Sequence, residues 1–162
     1  MREDGLWDLE ARLADLKSRD FPLVSGVRLA GEPVHDMLLT VTINRSFEVV
    51  AARAETNRMP YPGACDQITP AYEKLVGLNL LKGFKKAATE RLGGVDGCTH
   101  MTELTAVLPT AAVQAFAGEK AEPNADDSQK PFQLDRCYAM RTDGEAVRQF
   151  YPKWFRGVQA AA

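Results

Sequence analysis

Long apolar runs are missing from this 162-residue chain. None approaches the roughly 20 residues needed to cross a bilayer, so no membrane-spanning role is expected. An excess of positive charge is missing as well. Twenty lysines and arginines stand against 22 aspartates and glutamates, for a formal net charge of −2. That balance supplies no electrostatic drive toward nucleic acid or an anionic membrane surface. Histidine and cysteine are scarce, at two and three residues. Three cysteines cannot all pair within one chain, which argues against a disulfide framework and for a reducing, cytoplasmic setting. The opening residues, Met1 to Trp7, are acidic where a secretory leader would be basic and then apolar. The chain also lacks C-x-x-C, G-x-S-x-G, P-loop, G-x-G-x-x-G and H-E-x-x-H patterns. The usual sequence signatures of zinc fingers, α/β-hydrolases, nucleotide sites and zincins are therefore absent.

What is present suits an ordinary globular domain running over 1–162, with 45% hydrophobic and 26% charged residues. Leu6 to Leu16 reads two ways. Leu6, Leu9, Leu13 and Leu16 fit a helical stripe, while Trp7, Leu9, Ala11 and Leu13 alternate with Asp8, Glu10 and Arg12 as in a strand. Composition alone favours the helix. Met37, Leu39, Val41 and Ile43 alternate more cleanly, Asn44-Arg45-Ser46 signals a turn, and Phe47 to Glu55 returns as a second strand. Thr56 to Ile68 is a loop. Thr69-Pro70 opens a helix reaching Leu80, with Thr69 as cap. Further helices are expected from Lys82 to Leu92, stopped by Gly93-Gly94, from Thr99 onward, and from Thr110 to Phe116. Residues 118–131 are polar and read as an exposed linker. Beyond them, 132–134 and Cys137 to Met140 look extended, and Val147, Phe150, Tyr151, Trp154 and Phe155 make an aromatic end.

These elements imply an α+β fold: a small, mostly antiparallel sheet of about three to five strands with helices packed on one face, followed by a C-terminal extension. The chemistry-bearing residues gather at element boundaries. Cys98 and His100 flank a helix start, with Glu103 one turn further on. His35-Asp36 precedes a strand, and Cys65 sits in the loop after the next one. Thiolate, imidazole and carboxylate are the ligand types of zinc and iron, and a closed tetrahedral site takes four of them. His35, Cys65, Cys98 and His100 would supply such a set. Asp36, His100 and Glu103 are the candidates for moving protons. A second reading makes a cysteine the nucleophile, with His100 or His35 as its base. A third makes the cysteines plain small hydrophobes in a non-catalytic binding or assembly protein.

Several of these segments also carry a resemblance. Gly5-Leu6-Trp7-Asp8-Leu9-Glu10, Gly31 to Met37, Tyr61-Pro62-Gly63-Ala64-Cys65 and Leu92 to His100 resemble a bacterial family known as domain of unknown function 2889. The likeness extends over nearly the whole chain, including Cys137 and Tyr151-Pro152. It implies kinship without a reaction, and it tilts Leu6 to Leu16 toward a strand. From about Val27 to Phe116 the order of elements is also similar to iron–sulfur scaffold proteins of the NifU-like type. That similarity places His35-Asp36, Cys65 and Cys98 where those scaffolds hold metal. It implies a NifU-like core and an iron–sulfur carrier role. This chain has His35 in place of the scaffold's first cysteine, and nothing corresponding to its tail in the scaffold. The expectation taken forward is a metal- or thiolate-bearing site, with zinc or iron as the metal. The site would serve a small-molecule metabolic enzyme or its accessory subunit, with a protein partner or homodimer as further associations.

Overall fold

The structure is a computed structural model and describes residues 1–117, 130–131 and 133–157. The chain divides into two compact units, Met1–Gly118 and Glu119–Ala162, where length alone suggests one domain. The expected 118–131 linker lies almost wholly outside the described residues.

The first unit is α+β. Strands β1 (Trp7–Leu16), β4 (Pro33–Ile43) and β5 (Val49–Arg58) form an antiparallel sheet in the order β1-β4-β5. Strands β2 (Phe21–Leu23) and β3 (Gly26–Arg28) make a separate two-stranded hairpin between β1 and β4. Helices α1 (Phe84–Leu92), α2 (Thr99–Thr105) and α3 (Leu108–Ala117) follow. Among the described residues, no helix is long and apolar enough to cross a membrane.

Residue alternation explains the layering. In a strand, every second side chain shares a face. Leu9, Ala11 and Leu13 pair with Val41, Leu39 and Met37, and on the other flank Ala52 and Ala54 pair with Val41 and Leu39. This face is the core side. It packs with Met101, Leu104, Leu108, Ala112 and Phe116 from the helices, and with Tyr72 and Leu75. The central strand supplies the bulk and its neighbours supply alanines, so Leu39 sits between Ala11 and Ala54 and is fully buried. The opposite face carries Asp8, Glu10, Arg12 and Arg53, all exposed. There Thr42 donates to Asp8 at 2.7 Å, and Arg12 grips both oxygens of Asp36 at 2.7 and 3.0 Å.

The first segment is a strand, as the resemblance implied, with Asp8, Glu10 and Arg12 on the water-facing side that alternation gives them. Two other expectations change. The helix expected from Thr69 to Leu80 is a 3-10 segment that stops at Leu75. Gly77 then takes φ 82°, and the chain runs back along the start of β5. Val49 N–H donates to Leu78 O at 2.8 Å and Leu80 N–H to Phe47 O at 2.9 Å, which buries Leu78 and Leu80 by sheet-like pairing. Phe47 belongs to the turn, with φ 63°, and Asn44 Oδ1 accepts from the N–H groups of Ser46 and Glu48 to hold it.

In the second unit, a 3-10 turn spans Tyr138–Met140 where extended chain was expected. Helix α4 (Glu145–Phe150) follows. Asp135 organises this unit by accepting from Lys130, the Thr142 N–H and the Thr142 hydroxyl, which hold its carboxyl down at about 2.

Candidate functional site

The site forms where the end of β1, the start of β4 and the start of α2 meet. Helix α2 packs on both strands. Met101 and Leu104 point its apolar side into the core, and that rotation sets His100 over the strands. The antiparallel register pairs Asp15 with His35. Both follow the alternation of the core face, one step beyond the last apolar pair, Leu13 and Met37. They are therefore polar residues at the rim of the core.

The imidazoles of His35 and His100 stack, with ring centroids 4.0 Å apart and planes tilted by 31°. His35 Nδ1 lies 3.2 Å from Asp15 Oδ2, and Lys17 Nζ donates to Asp15 Oδ1 at 2.8 Å. The Lys17 and His35 contacts hold the Asp15 carboxyl below its ordinary range, Lys17 contributing most. An ionised carboxylate can only accept, so the His35 ring donates to it from Nδ1. On the other side, Cys98 Sγ lies 4.0 Å from His100 Nδ1. Burial, and then the neighbouring His35, push His100 below its ordinary value, while Asp15 pulls weakly the other way. His100 is thus a neutral base at neutral pH, facing a thiol.

The Gly97-Cys98 corner has its own support. Cys98 is the cap residue of α2, but its side chain makes no capping bond. Instead the Cys98 N–H donates to the Tyr72 hydroxyl at 3.0 Å. Tyr72 is fully buried, and burial raises its hydroxyl above the ordinary tyrosine value, keeping it neutral. Gly97 is required here because a Cβ would lie 2.2 Å from Leu92 O.

The structure sorts the candidate residues. It brings His35, Cys98 and His100 together. It puts Asp36 on the opposite face of the sheet from His35, because adjacent strand residues point opposite ways. There Arg12 first of all holds the Asp36 carboxyl below its ordinary range. Glu103 is exposed on α2 and makes no hydrogen bond to His100. Cys65 is half-buried in the turn after β5, where its N–H donates to Tyr61 O at 3.0 Å. Among the described residues, no group of three or more His, Cys, Asp or Glu side chains is arranged to hold a metal ion. Asp15, Lys17 and Tyr72 were not anticipated as parts of the site. The strand reading of Leu6 to Leu16 would have found Asp15, since Asp15 continues the parity of Leu9, Ala11 and Leu13.

Fold and site together define a small α+β unit with a thiol, two imidazoles and a carboxylate in series at one end of its sheet. The chain belongs to the family described as protein of unknown function (DUF2889), whose model matches residues 1–114. The matched span contains every member of the series. No curated protein and no solved structure matches the chain.

Proposed function

We propose that the series Asp15–His35–His100–Cys98 is a thiol–imidazole site of a small-molecule enzyme or its accessory subunit. The observation that carries this is the Cys98 thiol facing Nδ1 of a histidine kept neutral. Such a base takes the thiol proton, and the resulting thiolate is the nucleophile. The Asp15 carboxylate, on the far side of His35, favours the imidazolium formed on His100. All three cysteines are free, as a reactive thiol in a reducing compartment requires.

Zinc or iron on Cys98, His100 and His35, with Cys65 recruited, is the metal-bearing version of the site. Its support is the carboxylate on His35 Nδ1, an arrangement that orients an imidazole to bind a metal through its other nitrogen.

The test is the alkylation of Cys98 by iodoacetamide at neutral pH, read by mass spectrometry against Cys65 and Cys137 in the same molecule. Cys98 is expected to react fastest, and His100→Ala to remove the advantage. Equal rates for Cys98 and Cys65, unchanged by His100→Ala, favour a non-catalytic binding or assembly protein and end the proposal. Protection of Cys98 that a chelator relieves, with zinc or iron near one equivalent, favours the metal version.

A further inference from the structure

Cys98 is an unusual cap. Ser, Thr, Asp and Asn are preferred there because their side chains accept from the first turn of the helix. Here the side chain does no capping, and the backbone of the cap residue is held from outside the helix. Three hydrogen bonds do this. The Thr102 hydroxyl donates to Leu92 O at 3.0 Å. Its oxygen lies 2.9 Å from the Tyr72 hydroxyl, which itself accepts the Cys98 N–H at 3.0 Å. Thr102 gives its one proton to Leu92 O. Tyr72 accepts the Cys98 N–H and donates to the Cys98 carbonyl, with the Thr102 oxygen beside it as a second acceptor. The Cys98 carbonyl, also 3.0 Å from the Tyr72 hydroxyl, accepts the Thr102 N–H at 2.8 Å as the first bond of α2.

The chain therefore runs Cys98 to Tyr72 to Thr102 to Leu92, and it closes around Gly97. An added Cβ at Gly97 would meet both ends of it, Leu92 O at 2.2 Å and Thr102 Oγ1 at 3.0 Å. Neither Tyr72 nor Thr102 is hydrogen-bonded to the Cys98 sulfur or to either histidine. Their contacts fix the Cys98 backbone and leave Sγ to His100, whose Nδ1 lies 4.0 Å away.

We infer that Tyr72 and Thr102 are positioning residues for the Cys98 thiol: they hold the N–H and C=O of Cys98 so that its sulfur faces His100. This inference rests on the thiol–imidazole reading above and adds to it a residue of the 3-10 segment and a second residue of α2. It also gives the glycine-cysteine-threonine-histidine motif a physical content. Glycine allows the close approach to Leu92, cysteine takes the cap position without capping, and histidine receives the thiol.

The test is a double-mutant cycle read as the iodoacetamide rate of Cys98. One hydrogen bond changes an equilibrium by about 2- to 10-fold, which sets the scale. Tyr72→Phe is expected to slow Cys98 by about that factor with His100 present, and to have no further effect in a His100→Ala background. Thr102→Val should behave like Tyr72→Phe, and Thr102→Ser should restore the wild-type rate, which provides a measurement if Tyr72→Phe does not fold. A change of equal size in both backgrounds means that the hydroxyl acts only on access to Cys98, and overturns the inference. So does an unchanged rate in Tyr72→Phe while His100→Ala slows Cys98. If His100→Ala itself leaves Cys98 unchanged, the thiol–imidazole reading fails and the positioning role falls with it.

Discussion

Met101 sits between the two halves of the account, next to His100 in sequence and fully buried beneath α2. Replacing it with alanine removes three heavy atoms from the contact that seats the helix on β1 and β4. Fully buried Met to Ala changes cost about 2–5 kcal/mol. The lower half of that range is expected here, about 2–3 kcal/mol, because the thioether is adaptable and α2 is a short helix without a side-chain cap. With a urea slope of about 2 kcal/mol per molar, the midpoint falls by about 1–1.5 M. The assay is urea unfolding followed by tryptophan fluorescence in a Trp154→Phe background. Trp7, which lies 4.7 Å from the Phe116 ring, then reports on the first unit alone. Val95→Ala is the control, since Val95 is 96% exposed and its truncation should stay within about 0.5 kcal/mol. A Met101→Ala shift below about 0.3 M, no larger than that of the control, would refute the seating of α2 and with it the placement of His100 over His35.

The two aspartates next to the histidine pair should separate by phenotype. Asp15→Asn is expected to slow Cys98 alkylation, and Asp36→Asn to leave it unchanged. The Asp36 carboxyl lies below its unfolded value of about 3.9, so its pairing with Arg12 stabilises fully above that pH and is lost as pH falls through the folded value. Urea midpoints of wild type and Asp36→Asn should therefore differ at neutral pH and converge in acid. For His100 the folded value is also depressed, so the unfolded chain binds the proton first as pH falls below about 6.5. Stability should be full above that pH and decline below it, and His100→Asn should flatten the decline between pH 7.5 and 5. Gly97→Ala puts a Cβ 2.2 Å from Leu92 O and should cost about 1–3 kcal/mol by thermal unfolding, with slower Cys98 alkylation.

Local pattern made much of the fold legible. Alternation from Met37 to Ile43 marked β4, and helical spacing marked α1 and α2, because burial on one face leaves a period in the sequence. The 76–80 segment was opaque for a different reason. Its apolar residues are buried by pairing with Val49 of β5 and with Phe47 of the turn before it, a long-range contact that leaves no local period. The site was legible as residues and illegible as partners. Cys98, His100 and His35 stand out because thiols and imidazoles are few. Asp36 attracts notice by being adjacent to His35, yet adjacency in a strand means opposite faces. Asp15, twenty residues away, is the true neighbour, and only the β1–β4 register reveals it. Tyr72 reads as one more buried aromatic until its hydroxyl is followed to the Cys98 backbone.

With only two histidines in the chain, the coupling of thiol and imidazoles can be observed directly. The measurement is the imidazole nitrogen NMR spectrum at neutral pH, before and after selective alkylation of Cys98. His100 is expected to be neutral, and His35 to carry a proton on Nδ1. Alkylation should move the His100 nitrogen signals strongly and those of His35, in the stacked ring behind, more weakly. A spectrum in which neither histidine responds to modification of Cys98 would contradict the account.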